Sequence, residues 1–205
     1  MDIWQGQWVR LRGVEPGDAD VFFAWRDSDM GRFTDFVKFP HSLEATRKHF
    51  EKMATSEAKD DAFDFVIENE GGEAVGIINS HTCDRRVGCF MYGLAIGPDY
   101  RRRGYAAEAI LLLLRYFFDE RNYQKVSATV YSNNEASQRL HERLGFTLEG
   151  RIRRVVFTLG QHFDELHYGM TVEEFRANKR MSEWMNQRMD ESANERIEEF
   201  PTTNR

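Results

Sequence analysis

Cysteine is nearly missing from this sequence: 205 residues contain two, Cys83 and Cys89. That excludes a disulfide framework and argues for reduced thiols that pack rather than crosslink. Proline is almost as rare, at Pro16, Pro40, Pro98 and Pro201, so extended linkers are not expected. No apolar run is long. The longest, residues 106–114, is interrupted by Glu108 and falls far short of the roughly 20 residues that cross a bilayer. Residues 1–10 are polar and hold no signal-like apolar core. A basic excess is also lacking. Twenty-eight Lys and Arg against 34 Asp and Glu leave a net charge of −6, whereas a nucleic-acid partner demands cations to neutralise phosphate. These absences point to a cytoplasmic protein with neither a membrane nor a nucleic acid as partner.

What is present suffices for a core. With 41% hydrophobic and 30% charged residues, a chain of this length buries enough surface to fold without disulfides or a structural metal. No internal repeat is visible. Residues 7–12 alternate apolar and polar and predict a strand. Pro16 then opens a helix bearing Ala19, Phe22, Phe23 and Arg26 at helical spacing. Residues 30–41 are aromatic but aperiodic and read as a loop. Ser42 caps a second helix reaching about Ser56, with Leu43, Phe50, Met53 and Ala54 as its apolar stripe.

Three strands follow, at 62–68, 74–82 and 87–96, joined by turns at Gly71-Gly72 and 84–86 and closed by Gly97-Pro98. The clearest helix is 105–121, whose stripe is Ala106, Ala109, Ile110, Leu113, Leu114, Phe117 and Phe118. A strand at 125–131, a short helix at 134–144 ended by Gly145, and a strand pair at 146–158 and 163–171 complete the order. That order is α+β, with a mixed, mostly antiparallel central sheet flanked by helices. Residues 1–171 form the expected domain. Residues 172–205 read as a C-terminal helical extension with a polar tail, its helix at 175–189 a candidate surface for a homodimer.

The chemistry concentrates at Leu94-Ala95-Ile96-Gly97-Pro98-Asp99-Tyr100-Arg101-Arg102-Arg103-Gly104-Tyr105-Ala106. A buried strand runs into a basic turn, then glycine, then the strongest helix. The first amides of a helix have no intrahelical acceptor, and the helix dipole adds positive potential. Three arginines beside them make an anion cradle suited to a pyrophosphate. Gly104 lets a ligand approach the backbone closely. The sequence contains neither the G-x-x-x-x-G-K-[ST] of nucleoside triphosphate sites nor the G-x-G-x-x-G of dinucleotide sites.

A second motif, Asn134-Glu135-Ala136-Ser137-Gln138-Arg139-Leu140-His141-Glu142-Arg143-Leu144-Gly145-Phe146, follows one strand later. Arg101-x-x-Gly104-x-Ala106 followed by Asn134-x-x-Ser137-x-x-Leu140 and Gly145-Phe146 resembles the acetyl-CoA-binding core of the GNAT (Gcn5-related) N-acetyltransferases. The order of elements fits that fold over most of the chain. Residues 146–170 look like the branch containing ribosomal-protein N-terminal and spermidine acetyltransferases.

The resemblance implies an acetyl-CoA-dependent enzyme that acetylates a primary amine by direct attack. The acceptor class is a protein N-terminus, a polyamine or another small amine. It places Arg101, Arg102, Arg103, Gly104, Tyr105 and Ala106 on the coenzyme pyrophosphate. Main-chain groups of Leu94, Ala95 and Ile96 lie along the pantetheine, beside a splay that a bulge at Gly93 would supply. Asn134 and Ser137 face the pantetheine arm. An amide such as that of Leu94 or Ala95 stabilises the carbonyl oxygen as charge develops.

Two departures from the family pattern stand out. His141 occupies the place of a tyrosine that donates to the departing thiolate, a task open to an imidazole; packing beside the cofactor is the other reading. No carboxylate lies on 89–96 to deprotonate the amine. Asp164, Glu165, His162 and Asp35 are the other candidates, alongside simple capture of the free amine by an acidic pocket. Phe33, Phe36 and Asp35, with the hairpin residues Asp164 and Glu165, are expected to select a cationic acceptor. The six histidines show no metal spacing, so no metal is expected. A non-catalytic acyl-CoA-binding module is the alternative reading.

Overall fold

The computed structural model describes residues 2–178, apart from 26–27, 35–36 and 38. Asp35 and Phe36 therefore lie outside the described residues, as does the predicted extension beyond Asn178. Seven strands form one sheet in the order β1-β2-β3-β4-β5-β7-β6. They are β1 (Val9–Gly13), β2 (Phe63–Asn69), β3 (Ala74–Asp84), β4 (Cys89–Ile96), β5 (Lys125–Tyr131), β6 (Thr147–Thr158) and β7 (Gln161–Thr171). Neighbours are antiparallel except β4 and β5, which run parallel. The helices are α1 (Asp18–Ala24), α2 (Ser28–Thr34), α3 (Leu43–Ala54), α4 (Tyr105–Arg115), α5 (Glu135–Leu144) and α6 (Val172–Ala177).

The sheet's two faces are covered unequally. One is sealed by α4, whose Ala109, Ile110, Leu112, Leu113 and Leu114 are essentially inaccessible, together with Phe90, Val126, Val130 and Met170. Phe90 stacks on Phe117 at 4.0 Å between ring centres. The opposite face carries a smaller cluster of Val14, Ala19, Phe50, Val66 and Ala74, where α1 and α3 lie over the β1–β3 side. Along β5 no described residue covers that second face: Val126, Ala128 and Val130 are buried, but Thr129 between them is exposed.

Most of the elements read from the sequence are present, with informative differences. The predicted loop at 30–41 contains α2, a seven-residue helix too short to display a repeating apolar stripe. Strand β1 begins at Val9 rather than Gln7 because the Gln7 and Trp8 amides bond to Glu108 instead of to a strand. The long helix is α-helical only to Arg115 and continues as a π turn over Tyr116–Glu120, with Arg121 N–H reaching Tyr116 O. Ser42 caps α3 by accepting from Ala45 N at 3.1 Å. Gly145 ends α5 at φ +85°, the left-handed conformation that closes a helix. Short α6 docks through Phe175, which is buried against Phe118.

Candidate active site

Strands β4 and β5 pair only from Cys89 to Met91 against Lys125 to Ser127. Beyond that point both continue without pairing to each other, so the sheet opens into a cleft whose walls are 92–96 and 128–131. The β3–β4 register runs unbroken from Gly76↔Ile96 to His81↔Met91. The splay therefore needs no bulge at Gly93, contrary to the sequence expectation. Gly93 N–H instead donates to Asn79 Oδ1 at 2.9 Å.

The direction of the β4 backbone follows from these bonds. Gly97 N–H donates to Val75 O and Gly93 N–H to Asn79, both on the β3 side. Main-chain groups alternate sides along a strand, so the Leu94 and Ile96 groups point into the cleft. The Ile96 carbonyl is reached there by Arg101 Nε at 3.3 Å. Ala95 points the other way: its carbonyl packs 2.6 Å from where a side-chain carbon on Gly76 would sit. Of the two amides expected to hold an oxyanion, the geometry favours Leu94.

The strand ends in a 3-10 turn, Pro98–Tyr100, and the basic loop. Arg102 and Gly104 both have positive φ, +65° and +90°. This backbone turns the chain sharply so that the first amides of α4 face outward. Arg101, Arg102, Arg103 and Gly104 are exposed. Arg103 donates to Asp99 O at 2.9 Å and lies over the Tyr100 ring. Beneath the loop, buried Glu108 accepts from the amides of Gln7, Trp8 and Val9 at 2.6, 2.7 and 2.9 Å. That clamp holds the Trp8 ring against Gly104. Neither Trp8 nor Glu108 was singled out for the site by sequence; the only signal was a carboxylate interrupting the most apolar helix.

At the far wall, Asn134 Oδ1 accepts from Ser137 N and caps α5. Its neighbour Asn133 has a buried side-chain oxygen with no hydrogen-bond partner, an acceptor left open beside the cleft. His141 is 4% exposed. Its Nδ1 lies 2.8 Å from Ser137 O and its Nε2 lies 2.7 Å from Tyr92 Oη. A carbonyl only accepts, so Nδ1 carries the hydrogen and Nε2 receives the Tyr92 hydroxyl. Burial lowers the His141 pKa against the opposing Ser137 bond and favours the neutral ring, and burial raises that of Tyr92. Tyr92 is the first β4 residue past the point of splay, a position that sequence periodicity assigned only to a strand.

Asp164, Glu165 and His162 fall on β7, but differently. Asp164 is held by Arg154 N–H at 2.8 Å and Arg151 Nε at 2.6 Å, which keep its carboxyl below the ordinary range. His162 is exposed at the hairpin end, its ring edge against Phe157. Glu165 sits on the open face opposite Tyr131 of β5, and its Oε1 lies 2.8 Å from His167 Nε2. Phe33 is half-buried on α2. Cys83 and Cys89 each donate to a nearby carbonyl, of His81 and Val87. Burial and Asp61 raise the Cys83 pKa to about 11, as expected of a packing thiol. Among the described residues no His, Cys, Asp or Glu cluster could hold a metal ion.

An unpaired strand edge, an outward helix N-terminus beside three arginines, and an orphaned acceptor at Asn133 together fit a long ligand. An acyl-coenzyme A, with its anionic diphosphate and amide-bearing arm, would suit these features. The fold and this cleft are those of an N-acyltransferase. A family model described as an acetyltransferase (GNAT) domain matches residues 9–147. The chain is 42% identical over 175 residues to the SPbeta prophage-derived N-acetyltransferase YokL of Bacillus subtilis (strain 168), covering 85% of this chain and 96% of that protein. A crystal structure of an acetyltransferase from T. thermophilus superposes with a TM-score of 0.74 at 25% identity, covering 87% and 94% of the two chains. The microcin C7 self-immunity acetyltransferase MccE, solved with acetyl-CoA and AMP, shares the fold: TM-score 0.72 at 16% identity, over 82% and 94%. The chain belongs to the GNAT family and is an N-acetyltransferase.

Proposed function

We propose that the protein transfers an acetyl group from acetyl-CoA to the amino group of a cationic acceptor in a ternary complex. The observation that carries this reading is the cleft between β4 and β5, which among the described residues is open on one face only. Helix α4 covers the other face and the His141 side of α5 packs there too, so an acceptor must arrive from the side of Thr129, Tyr131 and Glu165. A carboxylate on that approach favours a positively charged amine over a neutral one. The acceptor is then a polyamine, a protein N-terminus or a comparable small amine.

Acetyl-CoA supplies the acyl group as an activated thioester. The loop amides from Arg102 to Ala106, with Arg101 and Arg103, hold the diphosphate. Leu94 and Ile96 lend strand-like bonds to the pantetheine arm, and Asn134 and Ser137, with the neighbouring Asn133, line its other side. The Leu94 amide stabilises the developing oxyanion. The departing sulfur is met by the Tyr92 hydroxyl, oriented by His141. Burial holds the proton on Tyr92, so this hydroxyl serves the thiolate by turning its one hydrogen from His141 Nε2 to the sulfur rather than by ionising.

The test is thiol release from acetyl-CoA over a panel of polyamines, peptides with free N-termini and neutral amines. Turnover with cationic acceptors is the expected result; binding of acetyl-CoA without release on any amine would refute the reading.

A further inference from the structure

The proposed reaction requires a base, because the acceptor arrives as an ammonium with no lone pair. β4 carries no carboxylate, and Asp164 has its oxygens engaged by Arg151 and Arg154. We infer that His167, paired with Glu165, is the group that deprotonates the acceptor amine.

The placement follows from the sheet. Tyr168 packs its ring against His141 on the closed side, so its neighbours His167 and Gly169 point to the open one. His167 lies directly across β5 from Thr129, the exposed residue of the cleft wall. One strand spacing, about 4.8 Å, separates the imidazole's backbone from that wall. Its Nε2 is buried and forms no aligned hydrogen bond, although Glu165 Oε1 stands 2.8 Å away. A nitrogen that close to a carboxylate is the one that carries the ring hydrogen, so the basic lone pair is on Nδ1, on a side chain that is 36% exposed. The carboxylate then stabilises the imidazolium. On the strands that flank β7, the ionisable groups on this face are Lys125 and Tyr131 of β5 and Glu149 of β6; His81 of β3 and Asp64 of β2 lie farther across it. Lys125 and Glu149 neutralise each other at 2.6 Å, which leaves Glu165 as the charge His167 experiences.

The proton balance is simple. The ammonium gives one proton to His167 Nδ1, which passes it to water. The second leaves nitrogen as the C–N bond replaces the C–S bond, and ends on sulfur.

This inference rests on the reading under Proposed function. The experiment compares native protein, H167Q and E165Q with one accepted amine across pH 6–10, alongside acetyl-CoA affinity by calorimetry. H167Q should lower kcat/KM for the amine about 100-fold near pH 7 with acetyl-CoA affinity unchanged. The deficit should close as pH rises and the amine deprotonates in solution. E165Q should move the acid limb of the profile to lower pH. An active native enzyme whose profile is unmoved by H167Q overturns this inference alone, and an unshifted acid limb in E165Q does so even where H167Q fails to fold. A native protein inert toward every amine overturns the functional reading as well.

Discussion

The hydroxyl of Tyr92 lies 2.7 Å from Nε2 of His141, joining the strand that lines the cleft to the helix on its far side. Both residues are buried, and neither has water as an alternative partner. Removing one end strands the other. Y92F and H141F should each destabilise the fold by about 1–3 kcal/mol. The double variant should cost less than the sum of the two, because it leaves no orphan. Urea midpoints of the four proteins check this; strict additivity would mean the bond contributes nothing. In turnover, Y92F should lower kcat more than it alters KM for acetyl-CoA.

The same histidine makes stability depend on pH. Its folded pKa lies below the ordinary 6.5, chiefly because burial penalises the charged ring. The unfolded chain therefore binds more protons as pH drops below 6.5, so this contribution is present above that value and is lost on acidification. H141F should flatten the decline in urea midpoint between about pH 7 and pH 5. An identical slope in native and variant proteins would remove His141 as the source.

Gly104 stands at φ +90° with its backbone exposed at the start of α4. G104D adds a strained side chain and a negative charge to the anion cradle. Acetyl-CoA binding should fall below detection by calorimetry while the circular dichroism spectrum persists. Undiminished affinity would place the diphosphate elsewhere.

At the opposite end of the sheet, Asp61 gathers Arg85, Arg121 and the Tyr123 hydroxyl. The Arg85 hydrogen bond leads the effects that lower its pKa to about 2 against the cost of burial. A depressed carboxylate contributes stability above its unfolded pKa near 4, lost as pH falls toward 2. D61N should cost about 1–2 kcal/mol at neutral pH and little near pH 2. An equal loss at both pH values would show packing rather than charge.

Apart from α2, the order of helices and strands, the basic turn before α4 and the Asn134–Gly145 helix were legible in the sequence, because caps, turns and apolar periodicity act over a few residues. Ser42, Gly104 and Gly145 each perform locally the task their type suggests. Short α2 was not legible, since seven residues are too few to establish a period. What tertiary structure alone decided is how distant residues meet. Tyr92 and His141 are 49 positions apart, and Glu108 finds the Trp8 amide 100 positions away. His167 acquires its place only because β7 inserts between β5 and β6. No local pattern encodes those meetings; they arise from the order in which strands pair and from the unequal covering of the sheet's two faces.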